Sequence, residues 1–127
     1  MKLEILALCE YASCLNQRLT ILHTFDNWTT KTFPADVSGF CVAKLRFDPD
    51  ECGRDYSFAF RATDPDGTVV FVQAFSAHPT TTEDALPYQL TQILHIRMKL
   101  PPGPYELGIF SADACLATTP FHVLSVS

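Results

Sequence analysis

The turn Asp64-Pro65-Asp66-Gly67, set between two strand-like runs, constrains this chain more than any other stretch. Before it, Tyr56, Phe58, Phe60 and Ala62 alternate with Ser57, Ala59, Arg61 and Thr63, the period of two that marks a half-buried strand. After it, Thr68–Phe75 is β-branched and aromatic, which suits a pleated surface. Pro65 presets its φ for a turn, and Gly67 takes a positive φ without steric cost. The stretch from Tyr56 to Phe75 therefore predicts a β-hairpin.

The other runs agree. Residues 2–10 and 18–25 read as strands joined by a loop over 13–17, with Leu3, Ile5, Ala7 and Cys9 on one face. Residues 26–39 are polar, with Pro34 and Gly39, and read as a long crossover that Trp28 and Phe33 pin to the core. Strands follow at 40–47, 88–100, 105–110 and 120–126, with loops at 48–55, 76–87 and 111–119. Within 88–100, Leu90, Leu94, Ile96, Met98 and Leu100 face inward, and the out-of-phase Gln92-Ile93 reads as a bulge. Pro101-Pro102-Gly103-Pro104 breaks the chain.

Short strands with turn signals between them imply an all-β fold in one domain over 1–127. The expected architecture is an immunoglobulin-like Greek-key β-sandwich of about eight antiparallel strands. Leu100-x-x-Gly103-x-Tyr105, ahead of a strand, resembles a tyrosine corner. At 127 residues the chain is long enough to fold without a metal or disulfide.

A second resemblance covers nearly the whole chain. Leu6-Ala7-Leu8-Cys9-Glu10-Tyr11-Ala12, then Leu19-Thr20-Ile21-Leu22 and Thr24-Phe25-Asp26, resemble an uncharacterised family of short bacterial proteins, a domain of unknown function. Asp64-Pro65-Asp66-Gly67 and Pro102-Gly103-Pro104-Tyr105-Glu106 fit the same pattern. The resemblance implies a compact β domain of bacterial origin, with no catalytic residues to transfer.

Charge and cysteine usage narrow the partners. Nine Lys plus Arg against fourteen Asp plus Glu give a net charge of −5, which argues against nucleic acid. No run approaches the roughly 20 apolar residues of a membrane helix. The apolar start of the chain is short and interrupted by Glu4, so it does not read as an export signal, and Tyr11-Ala12-Ser13-Cys14 is only a faint lipoprotein-like match. The five cysteines are odd in number and form no C-x-x-C pair. Together these features predict a cytoplasmic protein with reduced thiols. Asn27-Trp28-Thr29 matters as a glycosylation pattern only if the chain is exported.

Alternating antiparallel strands would send loops 10–16, 48–55, 76–89 and 111–119 to one end. That end would gather Glu10, Asp48, Asp50, Glu51, Asp55, Glu83, Asp84 and Asp113. Asp48, Asp50, Glu51 and Asp84 are the candidate ligands for Ca²⁺, which takes six to eight oxygens; the plainer reading is a solvated acidic rim. Cys14, Cys52, Cys115 and His78 would reach the same end, but without the close-spaced pairs of structural zinc sites. His23 near Asp26 invites a triad, yet no G-x-S-x-G elbow supports one and Cys115 has no evident base. No cofactor is expected. Outward Lys44, Arg46, Arg61, Arg97 and Lys99, with His95, would make a basic face beside Phe40 and Val42 if their strands are neighbours. The expected function is a non-enzymatic binding or scaffolding module that engages another protein or a second copy of itself as a homodimer. The alternative is Ca²⁺ or small-ligand binding at the acidic end.

Overall fold

The computed structural model describes residues 1–32, 34–81 and 84–125. Among them the chain is all-β, with nine strands in two sheets: β1 (Lys2–Leu15), β2 (Arg18–Thr24), β3 (Asn27–Thr30), β4 (Ala35–Phe47), β5 (Tyr56–Thr63), β6 (Val69–Ala77), β7 (Tyr88–Leu100), β8 (Gly103–Ser111) and β9 (Ala114–Ser125). A four-stranded sheet runs β2-β1-β4-β7 and a five-stranded sheet β3-β9-β8-β5-β6. All pairings are antiparallel except β3 with β9, which is parallel. The expected anchor Phe33, the acid Glu83 and the strand end at Val126 lie outside the described residues.

The central hairpin folds as its sequence dictates. Phe58, Phe60 and Ala62 are buried, and β5 faces β6 with Phe58 opposite Phe75 and Ala59 opposite Ala74. The turn closes on Asp64: its side-chain Oδ1 accepts from the backbone N–H of Asp66 at 3.0 Å and of Thr68 at 2.9 Å. Gly67 takes φ +81° there, a value that L side chains rarely adopt.

Four expected boundaries are corrected. The count is nine strands, because the crossover over 26–39 contains β3 and the first residues of β4. Ala35, Val37 and Gly39 are buried while Asp36 faces out, so this polar stretch alternates like a strand, with small residues on its inner side. The loop over 13–17 shrinks to Asn16-Gln17, whose φ values of 51° and 62° make a tight two-residue hairpin. The link over 111–119 shrinks to Ala112-Asp113, and only Pro101-Pro102 separate β7 from β8.

The expected bulge at Gln92-Ile93 is also absent: β4 and β7 pair without a register shift from Ala35↔Leu100 to Phe47↔Tyr88. Ile93 is out of phase because it serves a second core. The main core between the sheets holds Leu8, Cys41, Ala43, Leu45 and Phe47 together with Phe58, Phe60, Leu107, Ile109 and Phe121. Val42 points the other way and is fully buried with Cys9 and Ala12, against Leu19, Ile21, Phe40 and Ile93. Beyond Cys9, β1 parts from β4 and pairs only with β2. Cys14 and Gln17, at the tip of that hairpin, line one cleft with Leu86, Pro87, Tyr88 and Gln89. The β1–β2 hairpin thus folds back over the outer face of β4 and β7, and the four-stranded sheet curls into a half-barrel.

Candidate functional site

The acidic end is built on a capped turn. After β4, Asp48 opens a 3-10 turn over Pro49–Glu51, and Glu51 Oε1 accepts from the Asp48 N–H at 3.0 Å. The other Glu51 oxygen meets the amino terminus of Met1. That ammonium, and then the Asp48 N–H, hold the Glu51 carboxyl below its ordinary range. Tyr56 donates its hydroxyl to Glu51 O at 2.7 Å, and Arg54 Nη2 donates to Asp50 O at 3.3 Å.

Of the four candidate Ca²⁺ ligands, Asp48, Asp50 and Glu51 come together, their ligand atoms all within 4.8 Å of one another. Asp84 is exposed and does not join them. Both Glu51 oxygens are already engaged, which leaves two carboxylates for an ion that takes six to eight oxygens. Cys14, Cys52, Cys115 and His78 form no ligand group among the described residues.

The expected convergence of loops occurs in part: 48–55 meets 76–89, the Ala112 turn reaches the start of β5, and most of 10–16 is strand, with Glu10 next to the Cys9–Phe40 pair and away from Asp48. Gly53 donates its N–H to Pro79 O at 2.8 Å, His78 Nδ1 lies 2.7 Å from Asp55 Oδ1, and Ala112 donates its N–H to Ser57 O at 3.4 Å. His23 pairs with Glu10 at 2.9 Å rather than with Asp26. Both histidine–acid pairs are exposed. A cleft of about 410 Å³ lies at the opposite end of the molecule, lined by Asp64, Pro104, Tyr105, Glu106, Pro120 and His122 among others. The cleft of about 580 Å³ under the β1–β2 tip has no carboxylate among its described lining residues.

The expected basic face is assembled in part. β4 and β7 are neighbours, so Lys44, Arg46, His95, Arg97 and Lys99 share the outer side of the four-stranded sheet, whereas Arg61 lies on the other sheet. Val42 does not contribute to a mixed docking surface, because the β1–β2 hairpin covers it completely. Arg61 stacks instead on Phe110, its Cζ 4.5 Å from the ring centroid. That ring lies over Gly108, where a Cβ would come within 2.8 Å of it.

A sheet edge is the remaining candidate for engaging a partner. β6 is the last strand of the five-stranded sheet, and Val72, Gln73 and Ala74 at its middle are three consecutive exposed residues. Its nine residues, VVFVQAFSA, contain no charge and no proline, and a bulge at Val69–Phe71 disturbs its first residues while the run from Phe71 to Ala77 pairs regularly with β5. Natural edge strands are commonly blunted by Lys, Pro, bulges or shortness. The other edges follow that practice: β3 has four residues, β2 carries Arg18, and β7 carries Arg97 and Lys99. β9 is also uncharged but carries Pro120, and β3 pairs its last residues. The signal was present in the sequence as an uncharged strand; what made it meaningful was the strand order.

A family model described as a family of unknown function (DUF6941) matches residues 4–124. No curated protein matches the chain. Among the described residues, no helix is long and apolar enough to cross a membrane.

Proposed function

The chain belongs to DUF6941, and because that family carries no assigned activity we propose from the geometry that it is a non-enzymatic binding or scaffolding module, which engages protein by strand addition at the edge of its five-stranded sheet. The observation that carries this reading is β6: an edge strand of nine uncharged residues with an exposed centre. Such an edge offers a row of unpaired backbone donors and acceptors, and an extended partner gains affinity from main-chain hydrogen bonds.

We read the frame as immunoglobulin-like with Greek-key links. Two features support this: the order β1-β4-β7 against β9-β8-β5-β6, and the Tyr105 hydroxyl, which donates to Pro101 O at 2.7 Å at the start of β8. A cytoplasmic setting belongs to the same proposal and is supported by five cysteines that all remain free thiols.

A photo-crosslinking residue placed at Val72 in cells that make the protein tests the reading. Covalent protein adducts are expected at Val72 and not at Glu106, which is exposed on the central strand β8. Absence of any adduct at Val72 would overturn it.

The alternative, Ca²⁺ at the acidic end, draws support from the proximity of Asp48, Asp50 and Glu51. It is the lesser reading because Glu51 is already engaged. A melting temperature that does not move at millimolar Ca²⁺ retires it.

A further inference from the structure

We propose that the partner of β6 is a second copy of this chain, paired antiparallel about a two-fold axis through Gln73, so that two five-stranded sheets become one continuous sheet. This rests on the edge-binding reading above and names its partner.

The argument begins with charge. In a two-fold strand pair every residue meets a residue of its own strand, so any charge on the strand also appears on its partner. β6 carries none, and no register of the pair sets like charges together. A similar pair at β7 would bring His95, Arg97 and Lys99 of both copies to one seam.

Register follows from length. Gln73 is the midpoint of Val69–Ala77, and beyond the bulge at Val69–Phe71 an axis there pairs the regular stretch Phe71–Phe75 with itself. Val72 then faces Ala74 of the copy, and Phe71 faces Phe75. Val72 and Ala74 are exposed in the single chain, and their pairing joins a large and a small apolar side chain on the outer surface. Phe71 and Phe75 already pack against the main core, and facing them across the seam sets an aromatic pair on each side of the Gln73 pair.

The residue on the axis suits its place. A primary amide holds both donor and acceptor groups, so two Gln73 side chains complement each other across a two-fold. In the single chain, Gln73 Nε2 instead reaches its neighbour's Ala74 O at a long 3.4 Å, a bond that pairing gives up cheaply. A seam of this size falls short of the roughly 800 Å² per partner of a standard interface. Association is therefore expected at micromolar concentrations.

The test is mass by light scattering over roughly 1–200 µM, on the full chain. The mass is expected to rise from 14.2 kDa toward twice that value. Val72→Lys combined with Ala74→Lys sets like charges across the seam and should weaken association at least tenfold. Val72→Lys combined with Ala74→Glu sets opposite charges there and should restore it; both variants share the first substitution, so a difference between them is not a folding defect. A chain that stays monomeric throughout, or a dimer indifferent to both variants, overturns the proposal. A monomer that still forms Val72 photo-adducts with another protein overturns self-pairing alone. A monomer with no adducts removes edge binding as well.

Discussion

Gly39 of β4 lies against the backbone carbonyl of Cys9 on β1: a Cβ built on the glycine would stand 2.6 Å from that oxygen, with the Phe25 ring at 3.1 Å on another side. Cys9 is the last β1 residue paired with β4, so this close approach sits where the two strands part. The obstruction is backbone, which cannot swing aside as a side chain would. Gly39→Ala is expected to cost about 1–3 kcal/mol, the usual range for overpacking a core. Thermal unfolding should fall by several degrees, whereas Ala at Gly53, which has no neighbour within 4 Å but a positive φ, pays only for its backbone conformation.

The second core makes a separate claim. Val42 is fully buried, and its cluster is what ties the β1–β2 hairpin to the outside of the sheet. Val42→Ala removes two methyl groups from a site walled by Ala12, Ile21 and Ile93, and should cost about 2 kcal/mol. Hydrogen exchange is expected to accelerate in residues 10–24 more than in β5 or β8. Uniform acceleration would mean the hairpin is held by the main core instead.

These two sites show how far the sequence could be read. The hairpin around Asp64–Gly67 was legible because local turn chemistry and a period of two agree there. The core residues Phe58, Phe60, Ile96 and Met98 were legible for the same reason. Gly39 and Ala35 misled because small buried residues in a polar stretch look like a loop, and it is their pairing with Ile96 and Leu100 of β7, distant in sequence, that makes them strand. Ile93 looked like a bulge because its face is buried by a hairpin that no local pattern announces. Asp48, Asp50 and Glu51 lie close because they are neighbours in sequence, whereas Asp84 stands apart, and the amino terminus that engages Glu51 comes from fifty residues away. The open edge of β6 depends wholly on strand order, which composition does not encode.

The thiols divide by burial. Cys14 and Cys115 are exposed, Cys52 is intermediate, and Cys9 and Cys41 are buried. Burial pushes the Cys41 thiol up to about 12, with Cys9 beside it adding to the rise, and burial raises Cys9 as well. Iodoacetamide at pH 8 should label Cys14 and Cys115 readily and leave Cys9 and Cys41 untouched until the chain is unfolded. A raised folded value means the fold favours the neutral thiol. That contribution is complete below the unfolded value of about 8.5 and is lost as pH rises toward about 12. Melting temperature should accordingly fall over that alkaline window, and less so in Cys41→Ala.

Glu51 governs the acid side with the opposite sign. Its carboxyl is held below the ordinary range, first by the amino terminus and then by the Asp48 N–H. A depressed folded value means the charged form is favoured by the fold, so the stabilisation is present above the unfolded carboxylate value of about 4.3 and is lost as pH falls through the lower folded one. Glu51→Gln should therefore lower the melting temperature at pH 7 and converge on the parent protein in acid. The side chain is partly exposed, so the shift will be screened by salt. The variant also separates structure from metal binding at this end. If Glu51 is a capping and pairing residue, its loss is felt equally with and without millimolar Ca²⁺. A defect that Ca²⁺ deepens or repairs would instead assign the carboxylate to an ion.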